Sequence, residues 1–252
     1  MWYEPLIIIA ILVHVNSVVY SVYLHRGKAH NYYTFHPVLE HIFRFLLWFT
    51  RSQCWPGFIQ NYSANHRKHH VYVDVDGDPH SPHIWSFLEL SSDLWGPKKG
   101  RPHYISYEDQ QKWAGDLSNE KYSWLDKNVY QRYPRLGILS LWTVLTVCYG
   151  WIGFFSGWVC YVVPKYIGIF VGSYGIHKFG VKYHHNSKKA GKSTIVGPWG
   201  LWWGGEELHE NHHMDPNNPN WAKRWYEVDI GYWYSKLFEK LGLLTFTKDT
   251  GK

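Results

Sequence analysis

From Pro5 to Leu24 the chain carries no Asp, Glu, Lys or Arg. Twenty helical residues span about 30 Å, the thickness of a bilayer's hydrocarbon core, so 5–24 is predicted to be a transmembrane helix with His14 neutral inside it. A second apolar stretch runs from Leu136 to Ile176, with Lys165 its only charged residue. Forty-one residues are too many for one span and suit two. IGFFSG, 152–157, is the expected turn between helices at 136–153 and 158–176, which leaves Lys165 inside a span, where a charge is costly. VLEHIFRFLLWF, 38–49, is apolar but interrupted by Glu40, His41 and Arg44, so it reads as an amphipathic interfacial helix. The start, MWYE, lacks the basic residues of a cleaved signal peptide.

Charge orients these segments. Residues 25–135 hold 14 Lys and Arg, and residues 177–252 hold 11. The N-terminal tip and the 152–157 turn hold none. The positive-inside rule puts both basic regions on the cytoplasmic side. The expectation is an all-α integral membrane protein, one domain over 1–252, with about three transmembrane helices. A helical cytoplasmic cap would come from 25–135 and 177–252. GPKKGRPHYISYEDQQ, 96–111, reads as a solvated loop.

Composition adds little to this and contradicts none of it. The 252 residues carry a net charge of +6 and are 19% aromatic and 18% charged. That is not a disordered composition, and abundant Trp and Tyr suit membrane interfaces. Three cysteines, Cys54, Cys148 and Cys160, form no CxxC and no even set. A disulfide framework is therefore not expected, and Cys148 and Cys160 are expected to be buried hydrophobes.

The chemistry lies in histidine. NHRKHH, 65–70, places His66, His69 and His70 at i, i+3 and i+4, on one face of a helix. HENHH repeats H-x-x-H-H at His209, His212 and His213. HRGKAH supplies His25 and His30 after the first span, and HKFG supplies His177 after the last. All four groups fall on the predicted cytoplasmic side. A transition-metal ion takes four to six ligands, so nine histidines suit two ions, and imidazole alone does not select the metal. Asp74, Asp76 and Asp78 in DVDGDPH, with Glu206, Glu207 and Glu210, are candidates to orient the histidines from behind. DVDGDPH has its Gly at the fourth position rather than the sixth, so it is not a calcium loop. No dinucleotide or phosphate-loop motif is present.

HRGKAH, HRKHH, GDPHSPH and GEELHENHH, in that order, resemble the membrane fatty acid desaturases. The Δ9 acyl-CoA and acyl-lipid branch, the stearoyl-CoA desaturase type, is the most similar. The resemblance covers about residues 5–230. It implies a di-iron centre bound by His25, His30, His66, His69, His70, His177, His209, His212 and His213, with O2 as co-substrate. It further implies removal of two hydrogens from a fatty acyl-CoA or acyl-lipid to form a cis double bond, at the Δ9 position by resemblance to this branch. Electrons would come from a separate protein of ferredoxin or cytochrome b5 type. The setting would be a bacterial inner membrane or the endoplasmic reticulum, and no nucleic-acid partner is expected. Where the family has an Asn that holds a metal-bound water, this chain has Ser173. One span precedes the first histidine pair where the family has two. The alternatives are a fatty acyl or alkyl hydroxylase on the same scaffold and a metal-binding membrane protein without catalysis.

Overall fold

The computed structural model describes residues 3–91, 98–197, 199–200 and 202–247. The fold is mostly helical, with nine α-helices and four short strands among the described residues. Helix α1, Glu4–Val18, continues without a break into a π-helical segment, Val19–Ala29. The combined helix is therefore longer than the predicted 5–24. Helix α2, Pro37–Arg51, is amphipathic: Leu39, Phe43 and Leu47 recur every four residues on its buried face. They pack with Val19, Val22, Tyr23 and Leu24 in the main apolar core. His36 caps this helix through Nδ1, which accepts the Val38 N–H at 3.3 Å. Helix α3, Phe58–Tyr72, carries the first H-x-x-H-H. A short α4, Phe87–Ser91, and α5, Tyr107–Ala114, follow. The loop expected over 96–111 begins outside the described residues, at 96–97. Its last part is the start of α5, because Ser106 accepts the Asp109 N–H as an N-cap.

Helix α6, Leu136–Ile169, is bent back on itself at Gly150, whose φ of 58° and ψ of −135° exclude most side chains. The turn thus precedes the expected 152–157. The later glycines serve a different purpose. A Cβ on Gly153 would overlap the Leu145 carbonyl, and one on Gly157 would overlap the Trp142 indole. The two arms can therefore approach closely, and Trp142 Nε1 donates across them to the Phe154 carbonyl at 2.9 Å. Moving the turn also relocates Lys165. It and Arg135 both lie fifteen residues from Gly150, so Lys165 stands level with the base of the hairpin rather than deep within it. Ile138, Leu141 and Leu145 of the first arm pack against Ile8 and Leu12 of α1. On the far side Val144, Val147, Trp151 and Phe155 are exposed. Cys160 is buried, but Cys148 is exposed on this apolar surface.

Two helices, Glu4–Ala29 and Leu136–Val163, are long and apolar enough to cross a membrane. Three separate full spans are not established. The first arm of α6, from Leu136 to the Gly150 bend, is about 21 Å long at 1.5 Å per residue, short of a 30 Å core.

A second π-helical segment, Phe170–Gly175, joins α6 to α7, Ile176–Lys178. Helix α8, His209–Met214, carries the second H-x-x-H-H, and α9, Ile230–Lys240, follows it. Strands β1 (Tyr33–Phe35) and β4 (Leu244–Phe246) pair antiparallel, Tyr33 opposite Phe246. β2 (Trp199–Gly200) and β3 (Val228–Asp229) pair in parallel. These pairings draw the C-terminal region back over the end of the first helix.

Candidate metal centre

All nine predicted histidines converge, and their nitrogens fall into two groups. His25, His30, His66, His70 and His212 form one, and His69, His177, His209 and His213 form the other. Local geometry explains the division. Neighbouring residues on an α-helix diverge by about 100°, so His69 and His70 of α3 point into different groups. His212 and His213 of α8 do the same. The i, i+4 pair His66/His70 serves the first group, and His209/His213 serves the second. The π-helix accounts for the H-x4-H spacing. With i to i+5 bonding, residues five apart fall on the same side of the helix, and the His30 N–H donates to the His25 carbonyl at 3.1 Å.

Within the groups the Nε2 atoms face one another closely. His66 Nε2 is 2.8 Å from His30 Nε2 and 2.9 Å from His70 Nε2. His212 Nε2 is 2.9 Å from His70 Nε2 and 3.1 Å from His25 Nε2. In the second group, His209 Nε2 is 3.1 Å from His177 Nε2 and 2.9 Å from His213 Nε2. His69 Nε2 lies 3.2 Å from His213 Nε2. An imidazole nitrogen offers one proton or one lone pair, so hydrogen bonds cannot satisfy a nitrogen that faces two others. Two nitrogens each about 2.1 Å from one ion, at a right angle, would be about 3.0 Å apart. The donor set therefore fits two bound metal ions.

Carboxylates hold several rings from behind. Glu206 Oε2 meets His25 Nδ1 at 2.7 Å, Asp78 Oδ2 meets His69 Nδ1 at 2.8 Å, and Asp74 Oδ2 meets His177 Nδ1 at 2.9 Å. Such contacts fix the tautomer that leaves Nε2 free for a metal. Asp74 and Asp78 come from one tight loop, in which Asp78 also accepts the Asp74 and His80 N–H groups. The other three acidic candidates are placed differently. Asp76 is exposed, because it lies on the outward turn of the loop, midway between the buried Asp74 and Asp78. Glu207 accepts the Trp202 and Trp203 N–H groups, and Glu210 accepts those of Tyr183 and His184. These two brace loops rather than the nine clustered histidine rings, although Glu210 also lies 3.5 Å from His184 Nδ1. Ser173 is buried in the second π-helical segment, one turn before His177.

Burial sets the protonation. It pushes His30, His66, His69, His70, His209, His212 and His213 well below the usual imidazole range, and neighbouring rings push the same way. They are neutral at pH 7, the form a metal needs. Burial alone would raise the Asp74 carboxyl. Hydrogen bonds from His177, Ser81 and the Lys192 N–H instead hold it below the usual carboxylate range. Burial raises Glu207 to about 7.

Several supporting residues, some of them inside the quoted motifs, were not singled out in the sequence. Arg26, fully buried, makes two 2.8 Å bonds to Asp229 and stacks 3.4 Å over the Trp221 ring. Trp221 in turn lies 4.3 Å from the His212 ring and 4.8 Å from the His25 ring. His80 packs 4.1 Å from the His69 ring, with Nδ1 2.6 Å from Asn65 Oδ1. Only the position of Arg26 beside His25 could have drawn attention to it. A cavity of about 510 Å³ reaches His25, His66 and His209, with Ser173 also in its wall.

The chain matches the fatty acid desaturase family over residues 2–239. It belongs to that family. Among similar proteins, this desaturase-family chain is 29% identical over 190 residues to the sn-2 palmitoyl-lipid 9-desaturase of Nostoc, covering 71% of this chain and 60% of that one. It is 27% identical over 236 residues to the Delta-9 desaturase-like 5 protein of Arabidopsis thaliana, covering 89% and 70%. A hex-5-enoyl acyl-carrier-protein acetylenase of Moorena producens is 29% identical over 204 residues, covering 75% and 60%. The chain thus spans 60% of the length of the Nostoc and Moorena relatives.

Proposed function

We propose that this protein catalyses O2-dependent desaturation of a long-chain fatty acyl substrate, forming a cis double bond at a di-iron centre. The observation that carries this reading is the convergence of nine imidazoles in groups of five and four, beside a cavity that His25, His66 and His209 line. The five would hold one iron and the four the other. Iron there would supply, with O2, the oxidising power to break unactivated C–H bonds that no side chain can attack.

The protein's own groups prepare the site. Glu206, Asp78 and Asp74 orient His25, His69 and His177. The Arg26–Asp229 pair and Trp221 hold the outer wall and keep bulk water from the His25 and His212 rings. The second group has four histidines, and Ser173 stands in the cavity wall beside it as the candidate to position a water.

The names of the Nostoc and Arabidopsis relatives support a Δ9 position; one relative is named for a lipid-borne and another for a carrier-protein-borne acyl group, so the carrier here is left open, CoA included. The helix Glu4–Ala29 and both arms of α6 would enter the bilayer, with the histidines on the cytoplasmic face, a placement that the distribution of Lys and Arg supports. A separate ferredoxin or cytochrome b5-type protein would deliver electrons. Expression with such a donor in a desaturase-deficient host, followed by mass spectrometry of the lipids, tests the reaction. A product lacking two hydrogens is expected, and a His69→Ala variant should make none. An added oxygen atom in its place would favour a hydroxylase.

A further inference from the structure

Trp225 is 95% exposed, more than any other large apolar side chain among the described residues. It stands on a turn that is firmly held. One Glu227 oxygen accepts the Lys223 and Arg224 N–H groups at 2.7 and 2.8 Å, and Arg224 Nη1 donates to the other at 2.6 Å. The Trp225 ring lies edge-on to Tyr226 at 5.6 Å. The Tyr226 and Tyr183 hydroxyls are 3.5 Å apart, and the Arg224 guanidinium covers the Tyr183 ring at 3.5 Å. Segments 183–192 and 223–227 thus meet in one surface. That surface is basic. Residues 177–194 contain five Lys and no Asp or Glu, and Lys188, Lys189 and Lys192 are exposed. The acids that reach it are already engaged: Glu227 with its own turn, Asp215 with Lys223 at 3.0 Å, and Glu210 with the Tyr183 and His184 N–H groups.

The same surface lies one helix away from the clustered imidazoles. On α8, His209, His212 and His213 join the two groups, while Glu210 and Asn211 hold the two surface segments. Asn211 Nδ2 donates to Glu227 and to the Trp221 carbonyl, each at 2.9 Å. Trp221, fully buried, packs against the His212 and His25 rings. The desaturation proposed above needs an entry of this kind. Reducing O2 to two waters takes four electrons and four protons. The two C–H bonds supply two of each, and the other two of each enter from outside. A one-electron carrier must therefore dock and leave twice in every turnover. Small, charge-steered interfaces suit that traffic, and Trp, Tyr and Arg dominate interface energies.

We propose that Trp225, Tyr226 and Tyr183, with Lys188, Lys189 and Lys192, form the docking site of an acidic one-electron carrier protein. The inference rests on the desaturase reading and adds the place where its electrons enter, behind α8 and beside Trp221.

The test follows, by stopped-flow absorbance under argon, the oxidation of a reduced plant-type ferredoxin and of reduced cytochrome b5 by the iron-loaded full chain in nanodiscs of neutral lipid. At least one of these acidic carriers should be oxidised, about tenfold faster at low salt than at about 0.5 M salt. The Lys188→Glu/Lys189→Glu variant should slow that step about tenfold at low salt and little at high salt. Trp225→Ala should slow it about tenfold at both. Reduction of the same variants by dithionite with a small viologen mediator should be unchanged. Oxidation of neither carrier overturns the proposal, and so does an unaltered rate in both variants. Equal slowing with dithionite also overturns it, because the residues then serve folding or seating in the lipid. Acyl product formed when O2 is added to dithionite-reduced samples separates the two readings. Product there, with carrier oxidation indifferent to the variants, refutes this proposal alone. Carrier oxidation that depends on the surface, with no product from either reductant, refutes the desaturase reading alone.

Discussion

Replacing Asp74 with Asn should loosen one metal and spare the other. One carboxylate oxygen of Asp74 receives His177 Nδ1 at 2.9 Å and the Lys192 N–H at 2.7 Å. The other receives the Ser81 hydroxyl at 2.7 Å. The amide keeps the shape but removes the charge that fixes the His177 tautomer. Loss of such a supporting contact costs about 10–100-fold in metal affinity, or about 1.4–2.7 kcal/mol. His177 belongs to the group of four, so only that ion should weaken. Glu206→Gln is the mirror experiment, because Glu206 supports His25 in the group of five. The assay is stepwise removal of metal by a graded chelator series, with metal content measured at each step. In Asp74→Asn one equivalent should leave at about 10–100-fold lower chelator strength, and the second should leave as in the unaltered protein. Ser81→Ala, which removes a contact on the oxygen facing away from His177, should have the smaller effect. Equal weakening of both ions by Asp74→Asn would refute the division into two groups, and no weakening would refute the role given to Asp74.

Three further outcomes follow from the packing. Asp229→Ala strands the fully buried Arg26, which should cost about 3–5 kcal/mol in unfolding measurements, and a well-packed Arg26→Met/Asp229→Leu pair should recover most of it; a single variant as stable as the parent would contradict a buried ion pair. Gly157→Leu drives a side chain into Trp142 and should destabilise the hairpin by about 1–3 kcal/mol or more, seen as a lower melting temperature in the same detergent. In the metal-free protein, burial depresses the ligand histidines, whereas in the unfolded chain they titrate near 6.5. Below that pH the unfolded chain binds protons the fold does not. Stability should therefore be full above about pH 6.5 and fall as the pH drops, and a flat melting temperature down to about pH 5 would refute the depressed values.

The histidine motifs could be read in the sequence because metal ligands need particular side chains at helical spacings. The assignment of each ring to an ion could not. It depends on the 100° divergence of His69 from His70, and on a π-helix whose hydrogen bonds leave no mark in residue type. The hairpin in α6 was visible as surplus apolar length. Its turn was misplaced because four glycines, Gly150, Gly153, Gly157 and Gly168, look alike in the sequence. Only the backbone distinguishes the one that bends from those that let the arms touch or face a guanidinium. Among the acidic candidates, the alternation in DVDGDPH did not reveal that Asp76 faces outward. The Arg26–Asp229 contact was illegible for another reason: its partners lie 203 residues apart.

The most direct measurement is the anomalous scattering of iron in crystals of the full chain. Two ions are predicted, one among His25, His30, His66, His70 and His212, the other among His69, His177, His209 and His213. A single ion, or ions held by carboxylates in place of these imidazoles, would contradict the account.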